Sequence, residues 1–93
     1  MFEGVLRQFR RKVRARQYVV TVHADEEMDE DGLTVFDIES AILNGTIVEQ
    51  QRDRQTRERK YVVRGGAVDG RMIEVVGKMS RTGRLVVLTA YRE

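Results

Sequence analysis

The spacing of apolar residues changes at Gly45, and that change limits the folds open to this chain. After Gly45 the apolar residues recur with the period of a β-strand in four segments: TIVEQQ (46–51), RKYVVR (59–64), RMIEVVGKM (71–79) and RLVVLTAY (84–91). A polar stretch, RDRQTRE, and two glycine-bearing turns, GGAVDG and SRTG, separate these segments. Because connections this short join antiparallel neighbours, the sequence predicts a four-stranded antiparallel meander.

The start of the chain has the period of a helix instead. Its apolar residues form one stripe, Phe2, Val5, Leu6, Phe9 and Val13, and its basic residues lie off that stripe: Arg7, Arg10, Arg11, Lys12, Arg14 and Arg16. The pattern predicts a basic amphipathic helix in residues 1–17, docked through its stripe on a single domain formed by residues 18–93. The basic face of such a helix can also bind nucleic-acid phosphates or anionic lipid.

A short strand and a short helix are predicted next. The segment YVVTV (18–22) is rich in β-branched residues, which favours a strand that ends at His23 and extends the meander. In the following ADEEMDED only Ala24 and Met28 are apolar, four residues apart. A two-turn helix would bury this pair and leave the acids in water.

A second helix is predicted after Gly32, which is placed to stop the first. Thr34 and Asp37 have the spacing of a capping box, and an apolar stripe follows: Val35, Ile38, Ala41 and Ile42. Asn44 and Gly45 then close the helix. Helices followed by a run of strands indicate an α+β domain with the helices on one face of the sheet.

Composition excludes several classes of protein. A chain of 93 residues with 41% apolar content can build one small core, and the absence of cysteine rules out disulfides and thiolate metal sites. The longest apolar run, LVVL at 85–88, is far below the about 20 residues that span a bilayer. The amino terminus lacks the unbroken apolar stretch of a secretory signal. We therefore expect a cytoplasmic protein with no membrane span.

The net charge of +2 conceals a strong separation of charge along the chain. Residues 1–17 sum to +5, residues 18–45 to −8, residues 46–60 to +2 and residues 61–93 to +3. A polyanion such as RNA would therefore be attracted by every part of the chain except the acidic segment.

The acidic segment, TVHADEEMDEDGLT, partly imitates a calcium-binding loop. Glu27, Asp29, Asp31 and Gly32 match the early positions of an EF-hand, but the position that needs a bidentate glutamate is Ile38. Contiguous acids on different faces of a helix do not converge on one point. We therefore expect a solvated helix, with no metal site and no cofactor.

His23 is the single histidine of the chain. Glu26 and Glu27, three and four residues on, can reach it on a helix and would favour the imidazolium form, which suits an acid better than a base. A histidine at a strand-to-helix junction can equally be a cap or core residue.

The last predicted strand offers further polar groups. Thr89 and Tyr91 share one side of it, opposite Leu88 and Ala90, so one of these pairs faces the helices. A tyrosine and a lysine on one sheet surface beside a histidine suffice for RNA cleavage without a metal: a base for the 2′-hydroxyl, cations for the crowded phosphorane and an acid for the leaving oxygen. The same residues are also compatible with an ordinary polar sheet surface.

Several motifs together resemble a known family. TVHADEEM, DGLTVFDIESAILNG, RKYVVRG and KMSRTGRLVVLTAY, read in this order, are similar to a family of small bacterial and archaeal domains of unknown function. The resemblance covers residues 18–92 and lies in a T-x-H-A opening, a D-[IV]-x-x-A-I-x-x-G helix, a tyrosine-bearing strand and a closing T-x-Y.

The resemblance implies a fold like that of the RelE and colicin nuclease group, with relatives often encoded beside zinc-finger antitoxins of the MqsA kind. It implies a toxin-like ribonuclease of a type II toxin–antitoxin system, with RNA and an antitoxin protein as partners. The family's recurring polar residues correspond here to three proposed catalytic residues, His23, Lys78 and Tyr91, and three proposed substrate-binding residues, Lys60, Tyr61 and Thr89.

The chain departs from this pattern at two positions. Many relatives carry an arginine where this chain has Glu27 and Asp31. If those positions face the substrate, they repel an RNA backbone; otherwise the acidic helix points away from it. The alternative hypothesis is a non-catalytic interaction module that binds a basic protein partner through the acidic helix.

Overall fold

The chain forms a five-stranded sheet covered by three helices. The computed structural model describes residues 1–93, with helices α1 (Glu3–Arg14), α2 (Val22–Glu30) and α3 (Val35–Asn44) and strands β1 (Tyr18–Val20), β2 (Thr46–Arg52), β3 (Arg59–Gly66), β4 (Met72–Met79) and β5 (Leu85–Arg92). The predicted α+β class is confirmed. None of the helices has the length and apolar character needed to cross a membrane.

The predicted meander is present, with one addition at its edge. The strand order is β1-β5-β4-β3-β2, and β2 to β5 pair antiparallel in sequence. β1 pairs parallel with β5, with Val19 opposite Val86. After β1 the chain passes through α2 and α3 to the far edge of the sheet, and three short connections then bring it back beside β1. The sheet is therefore mixed.

The helices supply one side of a single apolar core. Leu6, Phe9 and Val13 of α1 are buried, as their stripe predicts. The largest side chains with almost no exposure come from both helices and strands: Phe9, Ile38, Ile42, Ile73, Leu85, Val63, Val75 and Val87. Burial of the apolar surface of these side chains is the main favourable term in folding.

Helix α3 lies unusually close to β3. A Cβ atom placed on Gly65 would be 2.3 Å from the carbonyl oxygen of Ala41, whose side chain is completely buried. A Cβ on Gly45 would be 2.3 Å from the carbonyl oxygen of Arg64. Glycine is therefore required at both positions because the helix and strand backbones nearly touch.

The predicted end of the first strand at His23 is wrong. Strand β1 ends at Val20, and α2 already begins at Val22. The reason is Thr21, whose side-chain oxygen accepts a hydrogen bond from the backbone N–H of Ala24 at 3.1 Å and so caps the helix. His23 therefore lies in the first turn of α2. The predicted burial of Ala24 and Met28 is confirmed. The prediction that the acids lie in water is wrong for Glu27 and Asp31, which are half-buried and accept hydrogen bonds from backbone N–H groups of β5.

One arginine of the basic helix α1 has a structural contact rather than a free head group. Arg10 donates from Nε to the carbonyl oxygen of Ile42 at 3.0 Å and from Nη2 to that of Gly45 at 2.9 Å. Both acceptors lie at the end of α3, where carbonyl groups lack partners within the helix. The basic side chain thereby joins α1 to α3.

Candidate functional site

The two faces of the sheet differ in chemistry. Residues on one face pack against the helices, and we call the other face the open face. Side-chain alternation and strand pairing assign to the open face Lys60, Val62 and Arg64 of β3, Glu74, Val76 and Lys78 of β4, and Thr89 and Tyr91 of β5. Val62 and Val76 are opposite each other and are buried without belonging to the core cluster. The open face therefore has a small apolar centre surrounded by polar and charged side chains.

Lys78 lies in a shallow groove at one end of the open face. We call this concave surface the Lys78 groove; its lining residues are Thr21, Thr56, Glu58, Lys78, Met79, Ser80, Arg81, Val86 and Leu88. They come from the start of α2, the β2–β3 connection, β4, the β4–β5 turn and β5. The groove thus combines two cationic side chains, one carboxylate and three hydroxyl groups with an apolar floor.

The ammonium group of Lys78 is held by Glu58. The distance from Lys78 Nζ to Glu58 Oε2 is 2.6 Å, and the two side chains are 27% and 41% exposed. Glu58 immediately precedes β3 and is held locally, since its backbone N–H donates to the Thr56 hydroxyl and its carbonyl accepts from the backbone N–H of Asp53. Both charged groups remain accessible to a ligand in the groove.

Tyr91 also contacts a carboxylate. Its hydroxyl donates to Glu74 Oε1 at 2.7 Å, directly across the β4–β5 pair. This hydrogen bond, together with partial burial and the nearby charges of Glu27 and Glu49, raises the pKa of Tyr91 to about 12. The phenol therefore stays protonated near neutral pH, where it can donate a hydrogen bond but cannot act as a base.

His23 lies at the edge of the sheet and is not among the residues that line the Lys78 groove. Its side chain is 68% exposed, and Nε2 is 3.4 Å from Glu27 Oε1, one turn further along α2. The same oxygen of Glu27 accepts from the backbone N–H of Ala90 at 3.2 Å, next to Tyr91. Glu27 therefore links the histidine to the strand that carries Tyr91. The sequence-based expectation that Glu27 reaches His23 matches this contact.

The proposed substrate-binding residues divide between the two faces. Lys60 and Thr89 lie on the open face, and Thr89 is opposite Val76. Tyr61 lies on the helix face, where its ring makes edge contacts with Phe2 and Phe9 at centroid distances of 5.7 and 6.0 Å. Adjacent residues of a strand point in opposite directions, so Lys60 and Tyr61 do not form a pair on one surface.

A β-bulge changes the predicted alternation of β5. The register shifts where Val76 pairs with Thr89 and Gly77 with Val87, which leaves Leu88 as the extra residue. Thr89 and Tyr91 share a face, as predicted, and Ala90 is buried on the other. Leu88, which we expected beside Ala90, instead lines the Lys78 groove together with Val86.

The two acids that replace the expected arginines face the edge of the sheet. β1 covers β5 only at residues 85–87, so the N–H groups further along that edge need other partners. Glu27 accepts from the backbone N–H of Ala90, and Asp31 accepts from that of Arg92 at 2.8 Å. The remaining carboxylates of α2 are exposed and make no ion pair: Asp25, Glu26, Asp29 and Glu30.

The groove contains residues that the sequence alone did not identify as candidates. Glu58, Arg81 and Thr21 belong to a polar stretch, a turn and a helix cap, which have no shared pattern in the sequence. Their proximity depends on strand register and on how the β2–β3 connection folds over β4. No three histidine, aspartate or glutamate side chains are grouped so that they could hold a metal ion.

Comparison with known proteins gives one match. The model of a protein family described as domain of unknown function (DUF4258) matches residues 20–92, which is most of the chain. No curated protein and no solved structure matches.

Proposed function

The chain belongs to the DUF4258 family of domains of unknown function, and we propose that it is a toxin-like ribonuclease that cleaves RNA without a metal ion. The observation that carries this proposal is the Lys78 groove. It offers two cationic side chains for a phosphate, hydroxyl groups for ribose and phosphate oxygens, and the apolar side chains of Val86 and Leu88 for the face of a base.

In this proposal each candidate residue has a distinct role. Lys78 stabilises the charge that develops on the phosphorane, and Lys60 attracts the neighbouring phosphate on the same face. Tyr91 and Thr89 lie on the same face outside the groove and orient the RNA strand next to the scissile group by hydrogen bonding, which agrees with a phenol whose pKa is raised to about 12. His23, supported by Glu27, donates or shuttles a proton at the edge of the open face.

The finer expectations from the family resemblance belong to this proposal. They are a RelE-like fold, membership in a type II toxin–antitoxin system, an antitoxin protein as partner and action in the cytoplasm. The three-helix, five-strand architecture is compatible with them. The inward direction of Glu27 and Asp31 supports the proposal, because these carboxylates are occupied by the edge of β5 and do not repel an RNA strand on the open face.

Purified protein incubated with single-stranded RNA in a metal chelator tests the activity. We expect cleavage by the wild-type chain, about 100-fold slower cleavage by Lys78→Ala and a loss of similar size in His23→Ala. Arg11→Ala is the matched control, since it also removes one positive charge but lies exposed on α1. Equal rates for the control and the wild type would separate a local effect at Lys78 from a change in net charge.

Absence of cleavage by the wild type, or equal cleavage by wild type and His23→Ala, would contradict these roles. Absence of cleavage by the wild type would rule out the ribonuclease proposal. Equal cleavage by wild type and His23→Ala would rule out a role for His23 in it.

The alternative is a non-catalytic module that binds a basic protein partner through α2. It is favoured by the four exposed carboxylates of this helix, none of which has a cationic partner: Asp25, Glu26, Asp29 and Glu30. A fluorescent basic peptide titrated at low and high salt tests it, beside a variant with all four acids changed to their amides. Binding by wild type that disappears in the amide variant, without any RNA cleavage, would favour this alternative over the ribonuclease.

A further inference from the structure

Cleavage of RNA through its 2′-hydroxyl needs a group that accepts the hydroxyl proton, and the residues proposed from the sequence do not supply one. The raised pKa of Tyr91, about 12, keeps its phenol protonated near neutral pH. The ammonium group of Lys78 is paired with an adjacent carboxylate and has no acceptor atom. His23 lies outside the groove and has the role of proton donor.

Glu58 is the one carboxylate among the residues that line the Lys78 groove. Its position suits a proton acceptor in three respects. Oε2 contacts Lys78 Nζ at 2.6 Å, the side chain remains 41% exposed, and Ser80 and Arg81 line the same groove. A 2′-hydroxyl that reaches this carboxylate would therefore lie beside the cations that bind the adjacent phosphate.

We propose that Glu58 is the general base and that the Lys78 groove binds one ribonucleotide unit of a single-stranded RNA. This inference rests on the proposed ribonuclease function and deepens it, because it names the group that distinguishes RNA from DNA. A carboxylate is an acceptor only, so it pairs with the 2′-hydroxyl of RNA and finds no partner in a deoxyribose.

The step balances without another reactant. Glu58 takes the proton of the 2′-hydroxyl, and the 2′-oxygen forms a bond to the adjacent phosphorus. The bond from phosphorus to the 5′-oxygen of the next nucleotide breaks, and that oxygen receives a proton from a water molecule, to which His23 at the edge of the sheet passes its own proton. The products are a 2′,3′-cyclic phosphate and a free 5′-hydroxyl. Lys78 and Arg81 stabilise the negative charge on the phosphorane.

The local structure holds Glu58 in place for this role. Asp53 Oδ1 accepts hydrogen bonds from the backbone N–H groups of Gln55 and Thr56, both at 2.9 Å, and the Thr56 hydroxyl accepts from Glu58. The β2–β3 connection is thus closed by its own hydrogen bonds. The carboxylate is presented by a structured turn, which limits the rearrangement needed when RNA binds.

The variant Glu58→Gln separates binding from chemistry. It keeps the size of the side chain but removes its ability to accept a proton, and it frees Lys78 from its internal anion. We expect RNA cleavage to fall by about 100-fold or more, while binding of an RNA whose cleavage site carries a single 2′-deoxy substitution is retained or strengthened. Glu30→Gln changes the charge by the same amount at an exposed position of α2. It should leave the rate of RNA cleavage and the binding of the 2′-deoxy RNA unchanged.

Two controls complete the experiment. Thermal unfolding of Glu58→Gln should resemble that of the wild type, since the residue lies at the surface. The 2′-deoxy substrate should resist cleavage by wild type, and analysis of the products should find a cyclic phosphate end.

The outcomes distinguish the two proposals. If wild type and Glu58→Gln cleave RNA at the same rate, Glu58 is not the base, and the ribonuclease proposal survives. If Glu58→Gln loses binding and cleavage together, Glu58 contributes to RNA binding or to the structure of the groove and does not act as the proton acceptor. That result also overturns the inference. If wild type does not cleave RNA at all, the ribonuclease proposal is wrong, and so is this inference, which depends on it.

Discussion

Glu27 Oε1 accepts a hydrogen bond from the backbone N–H of Ala90 at 3.2 Å, across 63 positions of the chain. The contact attaches α2 to the part of β5 that the three-residue strand β1 leaves uncovered. Asp31 repeats the arrangement at Arg92, with Oδ2 accepting from the backbone N–H and the carbonyl oxygen accepting from Nε. A helix thus completes an edge of the sheet through its carboxylates, and two of the acids of the acidic segment are structural.

Removal of the Asp31 carboxylate should destabilise the fold. Asp31→Ala leaves the half-buried N–H of Arg92 without its acceptor, and such a loss costs about 1–3 kcal/mol of unfolding free energy. The exposed neighbour Glu30 offers a matched control, because Glu30→Ala removes an equal charge without removing a contact. Urea unfolding followed by circular dichroism measures both. Equal midpoints for the two variants would show that the edge of β5 does not depend on this acid.

The close approach of α3 to β3 gives a second prediction. Gly65→Ala places a methyl group 2.3 Å from the carbonyl oxygen of Ala41. Because this oxygen belongs to the backbone and cannot rotate away, we expect the unfolding free energy to fall by about 1–3 kcal/mol. Gly4 of α1 has no atom within 4 Å of its added Cβ. Gly4→Ala should therefore stabilise the chain by about 0.5–1 kcal/mol through the better helix propensity of alanine.

Denaturant unfolding of both glycine variants measures their unfolding free energies, which should change in opposite directions. A Gly65→Ala protein with wild-type stability would mean that α3 can move away from β3 without loss of packing.

Arg10 should be the most important basic residue of α1 for stability. Its two hydrogen bonds to the carbonyl oxygens of Ile42 and Gly45 satisfy groups at the end of α3. Arg10→Ala should lower the unfolding free energy by about 1–3 kcal/mol, whereas Arg11→Ala, on the exposed side of the helix, should change it by less than about 0.5 kcal/mol. Thermal unfolding of both variants measures the difference, and a larger effect at Arg11 would contradict this arrangement.

Local patterns account for what the sequence predicted correctly. The apolar stripe of α1 is buried at Leu6, Phe9 and Val13, and Asp37 Oδ2 accepts from the backbone N–H of Thr34 at 2.8 Å, as the predicted capping interaction requires. These features depend on residues within one or two turns of each other, so their spacing in the sequence is informative. The helix cap formed by Thr21 is also a local feature, but the β-branched residues around Thr21 favour a strand in the sequence. The prediction therefore missed that α2 begins directly after Thr21, before His23.

Contacts between distant segments account for what the sequence could not predict. The parallel pairing of β1 with β5, the extra residue Leu88 and the ion pair of Glu58 with Lys78 each depend on strand register. Register is fixed by the packing of one whole face of a sheet, so no spacing within a single segment predicts it. The candidate site was therefore found only in part: Lys78 was identified, and the carboxylate beside it was not.

The last prediction concerns alkaline pH and the two tyrosines that donate hydrogen bonds to glutamates. The pKa of Tyr18 is raised to about 12, mainly by partial burial and then by its hydrogen bond to Glu39. The pKa of Tyr91 is raised to about 12, mainly by its hydrogen bond to Glu74. Both values lie above the ordinary tyrosine pKa of 10.0. The folded state therefore holds these protons more tightly than the unfolded chain.

The sign of the pH effect follows from that difference. The stability that each phenol contributes is present in full below about pH 10, where both states are protonated, and is lost as the pH rises towards about 12. Wild-type melting temperature should fall through this range, and the fall should be smaller in Tyr18→Phe and Tyr91→Phe and smallest in the double variant. Phenolate absorbance of Tyr18 and Tyr91 in the folded protein should likewise develop only well above pH 10. If the double variant loses stability between pH 10 and 12 as steeply as the wild type, the two phenol–carboxylate hydrogen bonds do not contribute to the folded state.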